Sequence, residues 1–239
     1  MASKLRVGLL TSQGHPLLPY LLDAITEDGV IEPELIFDEK DFSARDQLIF
    51  TQRTEGAFPR RDIKQYLDVF PSVSVPNHNG PQSIAHVTHR KLDLLLNAGT
   101  PRLLSEALLR SASIGVVNVH PGLLPKYRGA SCCEWALYND DPVGVTAHFM
   151  DEGLDSGPII LRNQLSIGRG QSYTDVRVAL YRLCHEVSRL ALRAVCDKGL
   201  TPNALPSQAE GTVFKPMPDR LLEIVKSKLQ HGEYRYFQH

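Results

Sequence analysis

The stretch Ile114-Gly115-Val116-Val117-Asn118-Val119-His120-Pro121-Gly122-Leu123-Leu124-Pro125-Lys126-Tyr127-Arg128-Gly129 decides how this chain folds. Its opening, Ile114 to Val117, is apolar and reads as a buried strand. Asn118 and His120 lie two residues apart, so at an extended strand end their side chains point the same way. Pro121, Gly122 and Pro125 then force the chain to turn. A donor amide and a titratable imidazole thereby share one side of a strand terminus, where an open α/β sheet keeps its site. A second segment, Gly144 to Pro158, opens as a strand and ends in a loop with three acidic residues, Asp151, Glu152 and Asp155, and two glycines, Gly153 and Gly157.

Outward from these segments the pattern alternates between strand and helix. Val7 to Thr11 is a first buried strand before the loop Ser12-Gln13-Gly14-His15-Pro16, and Leu17 to Ile25 has helical apolar spacing. Strands follow at Glu34–Phe37 and Val73–Pro76, with a polar stretch of helix and loop over 38–70 between them. Gln82–His89 reads as helix and Leu92–Gly99 as a buried strand. Pro101 suits the first turn of a following helix. A helix at 131–139 and strands at 143–150 and 159–165 come next. The longest helix spans 172–198, with Ser172 and Asp175 as a capping pair and Lys198-Gly199 as its stop. The pattern predicts an α/β fold with a mostly parallel, doubly wound sheet. Residues 1–199 form the main domain, and 200–239 form a linker and a C-terminal helix extension.

A chain of 239 residues suits one large α/β domain with a small appendage. The formal net charge of −1 offers no basic excess for nucleic acid or anionic membrane. Cys132, Cys133, Cys184 and Cys196 show no C-x-x-C spacing, which fits free thiols in a reducing compartment. The start, Met1 to Arg6, leads into too few apolar residues for a signal peptide, and no run is long enough to span a membrane. The expectation is a cytoplasmic protein.

An asparagine amide aimed into a cleft donates to a developing oxyanion, and a neighbouring histidine donates to the same oxygen or takes a proton from an attacking amine. A carboxylate from the second segment orients the histidine or a water, or takes the proton itself. Amide, imidazole and carboxylate without an evident nucleophile suit direct acyl transfer. Cys132 and Cys133 serve as nucleophiles only if folding returns one to His120. Plainer readings stand beside these. Asn118 and His120 also fit turn residues, His148 fits a hydrogen-bonded strand histidine, and the acidic loop fits solvation. His120, His148 and Asp155 suit a metal by residue type, but no metal site is expected from their spacing. His78, His86 and His89 read as surface residues. Ser12-Gln13-Gly14 can cradle an anion at a helix start. Tyr127 and Arg128 either bind an anionic substrate or anchor their loop.

The run 118–129 resembles the signature of the folate-dependent formyltransferases. The second segment is similar too, at Gly144-Val145-Thr146, His148, Asp151-Glu152 and Asp155-x-Gly157-Pro158-Ile159. A third match, Ala98-Gly99-Thr100-Pro101-Arg102-Leu103-Leu104, resembles the strand-end segment that lines that family's folate pocket. The resemblance implies a Rossmann-like formyltransferase domain using N10-formyltetrahydrofolate and no metal. It places the catalytic trio on Asn118, His120 and Asp155. It places the folate against Arg102, Leu103 and Leu104 and against Asp151, Glu152, Gly153 and Leu154.

The acceptor follows from departures within the family. Members acting on glycinamide ribonucleotide carry a Gly-Asn-Gly-Ser-Asn-like loop after the first strand, where this chain has Ser12-Gln13-Gly14-His15-Pro16. Members acting on methionyl-tRNA add a sizeable C-terminal domain and tend to be basic. The chain therefore resembles a compact sugar N-formyltransferase acting on a nucleotide-linked amino sugar for surface-polysaccharide synthesis, such as lipopolysaccharide O-antigen. Ser12, Gln13, Tyr127 and Arg128 are candidate acceptor contacts. A glycinamide ribonucleotide formyltransferase of purine synthesis or a methionyl-tRNA formyltransferase-like enzyme is the alternative, and a non-catalytic folate-binding protein is the competing class. The amphipathic Leu221, Leu222, Val225 and Leu229 point to packing on a second copy, hence a homodimer.

Overall fold

The computed structural model describes residues 4–238; residues 1–3, on which the leader-peptide reading partly rests, lie outside them. The chain runs β1 (Leu5–Thr11), α1 (Leu18–Thr26), β2 (Ile31–Asp38), α2 (Ala44–Thr54), α3 (Lys64–Leu67), β3 (Ser72–Val75), α4 (Pro81–His89), β4 (Leu94–Asn97), α5 (Glu106–Leu109) and β5 (Gly115–His120). It continues through β6 (Tyr127–Gly129), α6 (Cys132–Tyr138), β7 (Gly144–Phe149), β8 (Ile159–Gln164), β9 (Ile167–Gly168), α7 (Tyr173–Lys198), β10 (Thr212–Phe214), α8 (Asp219–Gln230) and β11 (Phe237–Gln238). The main sheet has seven strands in the order β3-β2-β1-β4-β5-β7-β8. The first five are parallel, and β7 and β8 add on as antiparallel strands.

Both faces of this sheet are covered, which is why its strands are apolar without alternation. Val7, Leu9, Leu35, Leu94, Leu96 and Val117 face a layer that includes α1 and the end of α7. Their neighbours Leu10, Ile36, Leu95 and Val116 face α4 and α5. Strand β2 begins earlier than its sequence suggests, at Ile31, and passes through Pro33. The missing N–H is harmless there. Leu35 donates to Pro71 on the β3 side, and β3 does not start until its register partner Ser72. The long helix α7 is capped as its sequence indicates, with Ser172 and Asp175 bonding each other's backbone N–H groups and Gly199 left-handed at its end.

Three expectations are corrected. No helix starts at Pro101; α5 begins after Ser105, whose hydroxyl caps Leu108, and the intervening loop is pinned by Asn79 and Asp38. His78 is not a surface residue. It is fully buried, bonded to the Ile36 carbonyl and to Thr100. The apolar face of α8 is covered by its own chain. Val225 and Leu229 are buried in one cluster with Val176, Leu180 and Val187 of α7, and truncating such a leucine costs about 2–5 kcal/mol. Those two positions are therefore closed to a second copy, whereas Leu221 and Leu222 are half-buried. The segment after Gly199 also pairs in parallel with the body twice, β10 on β6 and β11 on β9.

Candidate active site

Asn118 and His120 stand at the end of β5, and the antiparallel partner β7 places His148 directly opposite Asn118. The Asn118 amide donates to His148 Nε2 at 3.1 Å, and its carbonyl accepts from the Asn97 amide at 3.0 Å. His120 Nε2 donates to the Tyr127 carbonyl at 2.8 Å, so the ring turns Nδ1 toward Asp155, 3.5 Å from its Oδ2. The other Asp155 oxygen is 3.7 Å from His148 Nε2. Asp155 thus sits between the two imidazoles, and the Gly129 N–H donates to its Oδ2 at 2.8 Å.

The local backbone explains how a turn brings these groups together. Thr146 accepts from Leu124 N–H and donates to the Gly122 carbonyl at 2.7 Å, tying the turn after β5 to β7. A side chain at Gly122 would meet His120 Nε2 at 2.6 Å, so only glycine lets the imidazole lie against this turn. Gly129 has φ +89, and a Cβ there would meet the Phe214 carbonyl at 2.4 Å. Asp155 is itself left-handed, at φ +50, a strained conformation held by its surroundings. Gln208, from the C-terminal segment, donates to the carbonyls of Asp155 and Gly157 and so braces that loop.

Burial holds His120 below the ordinary imidazole range, partly offset by Asp155 and by the Tyr127 carbonyl. His148 is held low for the same first reason, with the Phe149 carbonyl and Asp155 opposing and His120 adding to the depression. At neutral pH both rings are therefore neutral, and His120 offers a lone pair at Nδ1. Cys132 does return to the neighbourhood of Asp155, but burial first, then Asp155, pushes its thiol up to about 12. It is not an ionised nucleophile.

The other sequence candidates separate. Arg102 is pinned by both oxygens of Asp38. Leu103 beside it is 87% exposed, and Leu104 packs in one cluster with Met150. Asp151, Glu152, Gly153 and Leu154 are all exposed. Tyr127 is no surface contact. It is buried, bonded to Asp141 and stacked on Phe214 of β10, the strand that pairs with β6. Arg128 holds Gln208 and the Ala209 carbonyl, an anchor for the C-terminal segment. Ser12 is fully buried, whereas Gln13 is exposed. Sequence reasoning missed Asn97 and Gln208. An Asn before Ala-Gly at a strand end is a turn signal that points to Asn97. Nothing local marks Gln208, which arrives from fifty residues beyond Asp155.

A cleft of about 770 Å³ is lined by Gln13 to Pro16, by Gln47, Phe50 and Thr51 of α2, and by Phe58 and Arg60 to Lys64. None of the trio lines it. His15 joins the two regions, since its ring packs directly on Gly99, two residues from Asn97. The cleft is backed by an aromatic cluster in which Phe58 meets Tyr20, Phe50, Tyr181 and His185. Among the described residues no group of three His, Cys, Asp or Glu side chains is disposed to hold a metal ion. No described helix is long and apolar enough to cross a membrane.

Fold and site together define a Rossmann-like α/β protein with an amide, an imidazole and a carboxylate converging at a strand end. Comparison with known proteins agrees. The profile of the formyl transferase family matches residues 51–192, and the chain belongs to that family. A methionyl-tRNA formyltransferase of Acetivibrio thermocellus is 32% identical over 164 residues, 68% of this chain and 51% of that protein. One of Methylacidiphilum infernorum is 36% identical over 137 residues, 57% of this chain and 40% of that protein. The chain thus spans about half or less of the length of these relatives. Among solved structures, a phosphoribosylglycinamide formyltransferase from Coxiella burnetii has a TM-score of 0.65 at 23% identity, covering 90% of this chain and 100% of that one. A sugar N-formyltransferase from a Shewanella species has a TM-score of 0.60 at 17% identity, covering 90% and 78%. At these identities the likeness is one of fold.

Proposed function

We propose that this protein transfers a formyl group from N10-formyltetrahydrofolate to the primary amine of a nucleotide-linked amino sugar. The observation that carries the reading is the convergence of Asn118, His120 and Asp155 with no ionised nucleophile among them. For the folate the candidates are the segments 102–104 and 151–154. Leu103 and Leu154 stand in solvent, 87% and 47% exposed, on two segments whose neighbours Leu104 and Met150 pack against the same buried cluster, and a planar ring would cover them.

Bound there, the folate supplies the activated formyl group. Asn118 keeps one amide hydrogen after His148 takes the other, and donates it to the formyl oxygen as negative charge develops. His120 takes the proton of the attacking amine at Nδ1, directly or through water. Asp155, facing that nitrogen, raises its proton affinity and stabilises the imidazolium, which returns the proton to the folate nitrogen as the bond from that nitrogen to the formyl carbon breaks. Gly129 N–H and Gln208 keep the carboxylate and its loop in place.

For the acceptor, the cleft offers aromatic walls at Phe50 and Phe58 and exposed cations at Arg60 and Lys64, features suited to a base and phosphates. Arg61 contributes less, being tied to Asp23. The second reading, methionyl-tRNA as acceptor, is favoured by the sequence relatives; the net charge of −1 counts against so large a polyanion. The deciding experiment follows tetrahydrofolate release with GDP-, dTDP- and UDP-linked amino sugars, glycinamide ribonucleotide and charged initiator tRNA. Turnover with an amino sugar alone is expected. Turnover only with the tRNA or the ribonucleotide replaces the acceptor, and turnover with none of them removes the reading.

A further inference from the structure

We infer that Asn97 is a positioning residue that fixes which end of the Asn118 amide faces the reacting group; this rests on the formyl-transfer reading above. A side-chain amide is nearly symmetric in shape, so packing alone does not distinguish its oxygen from its nitrogen. If Asn118 turned over, an acceptor would face the developing oxyanion instead of a donor. Something must set its polarity.

The hydrogen bonds set it without ambiguity. Backbone N–H groups of Gly99 and Thr100 both donate to Asn97 Oδ1, at 3.2 and 3.1 Å, so Nδ2 is the end of Asn97 turned toward Asn118. That nitrogen donates to Asn118 Oδ1, and Asn118 Nδ2 donates to His148 Nε2. The imidazole accepts because its Nδ1–H is committed to the Phe149 carbonyl at 2.8 Å. The chain of three side chains is thus terminated by backbone groups of fixed sense at both ends, two donors on the β4 side and one acceptor on β7. Turning Asn118 over would set donor against donor at Asn97 and acceptor against acceptor at His148. The turn that supplies the two donors is itself tied down, since the Thr100 hydroxyl donates to buried His78. Asn97 is half-buried at the end of β4, beside the site but with its amide spent on these contacts.

The test is Asn97→Asp against Asn97→Ala. The aspartate is close in shape and keeps both backbone donors, but its second oxygen is an acceptor, so it favours the turned-over Asn118. The alanine removes the lock and imposes nothing. With wild-type turnover as control, Asn97→Asp is expected to lose about 10²–10³-fold in kcat, the loss of one oxyanion donor. Asn97→Ala is expected to lose much less. KM for the folate and the melting temperature change little in either. The Asn97→Asp deficit shrinks as pH falls, because the protonated carboxyl donates to Asn118 again. A readout independent of turnover is the ¹⁵N shift of His148 Nε2, unprotonated in the wild type and protonated in Asn97→Asp at neutral pH. An aspartate variant as active as or more active than the alanine variant overturns the inference. So does a slow aspartate variant with His148 Nε2 unchanged, since charge alone would then explain the rate. An inactive wild type refutes formyl transfer instead, while the ¹⁵N comparison still decides the role of Asn97.

Discussion

The strand-end site and the neighbouring cleft are built on opposite plans. Around Asn118, His120 and Asp155 each residue is held by a hydrogen bond from another segment: β4, β7, β6 or the C-terminal stretch. Around the cleft, Arg60 and Lys64 stand in solvent, one in a loop and one at the start of α3, without the partners that hold the aromatic backing and Arg61. A reaction that needs a donor and a base within a few tenths of an ångström requires the first plan. Recognition of a flexible, charged acceptor tolerates the second. The difference predicts that substitutions in the two regions will separate kcat from KM.

The largest effects belong to the site. Asn118→Ala should lower kcat about 10²–10³-fold and His120→Ala about 10²–10⁴-fold, with folate KM nearly unchanged, as read by steady-state kinetics. The pH profile sharpens this. In the proposed mechanism His120 acts as the neutral form, and burial holds it below its ordinary value of 6.5, so kcat/KM should stay level down through that pH and fall only below it. Asp155→Asn removes a charge that raises the His120 pKa, so the acid limb should move lower still while the plateau drops. An acid limb at or above 6.5 would remove His120 as the base.

In the cleft, Arg60→Ala combined with Lys64→Ala should raise the acceptor KM roughly two- to thirty-fold, exposed cations contributing a few tenths to 1 kcal/mol each, and leave kcat intact. The effect should fade at high salt. A drop in kcat without a change in KM would erase the contrast between the regions.

The smallest effect is on stability. Burial pushes both His15 and His185 down to about 4. Between 6.5 and about 4 the unfolded chain binds protons there that the folded one does not, so stability is full above 6.5 and declines as pH falls through that window. His185→Gln, behind the cleft, should flatten the decline in melting temperature across it. An unchanged slope would mean that His185 is not buried neutral.

Much of the site was legible because its chemistry is local. Asn118 and His120 share a face by strand period, and the acidic loop that holds Asp155 ends the next strand. The resemblance to the formyltransferases rests on those same runs. What was illegible came from contacts between distant segments. Tyr127 looks like a loop residue available to substrate until β10, some eighty positions later, pairs with it and stacks Phe214 on its ring. His78 looks like a surface histidine until Thr100 and the Ile36 carbonyl enclose it. The apolar stripe of α8 reads equally well as a face for another copy, because amphipathicity says that a face is covered and not by what.

By itself, then, the sequence determined the layered α/β fold, the family and the side chains that meet at the end of β5, since each depends on a short period or a contiguous run. Only the tertiary structure decided which way the Asn118 amide points, which nitrogen of His120 is free, that Cys132 stays protonated and that Gln208 braces Asp155. Those properties belong to hydrogen-bond partners and burial, supplied by residues far apart in the chain, and no local pattern encodes them.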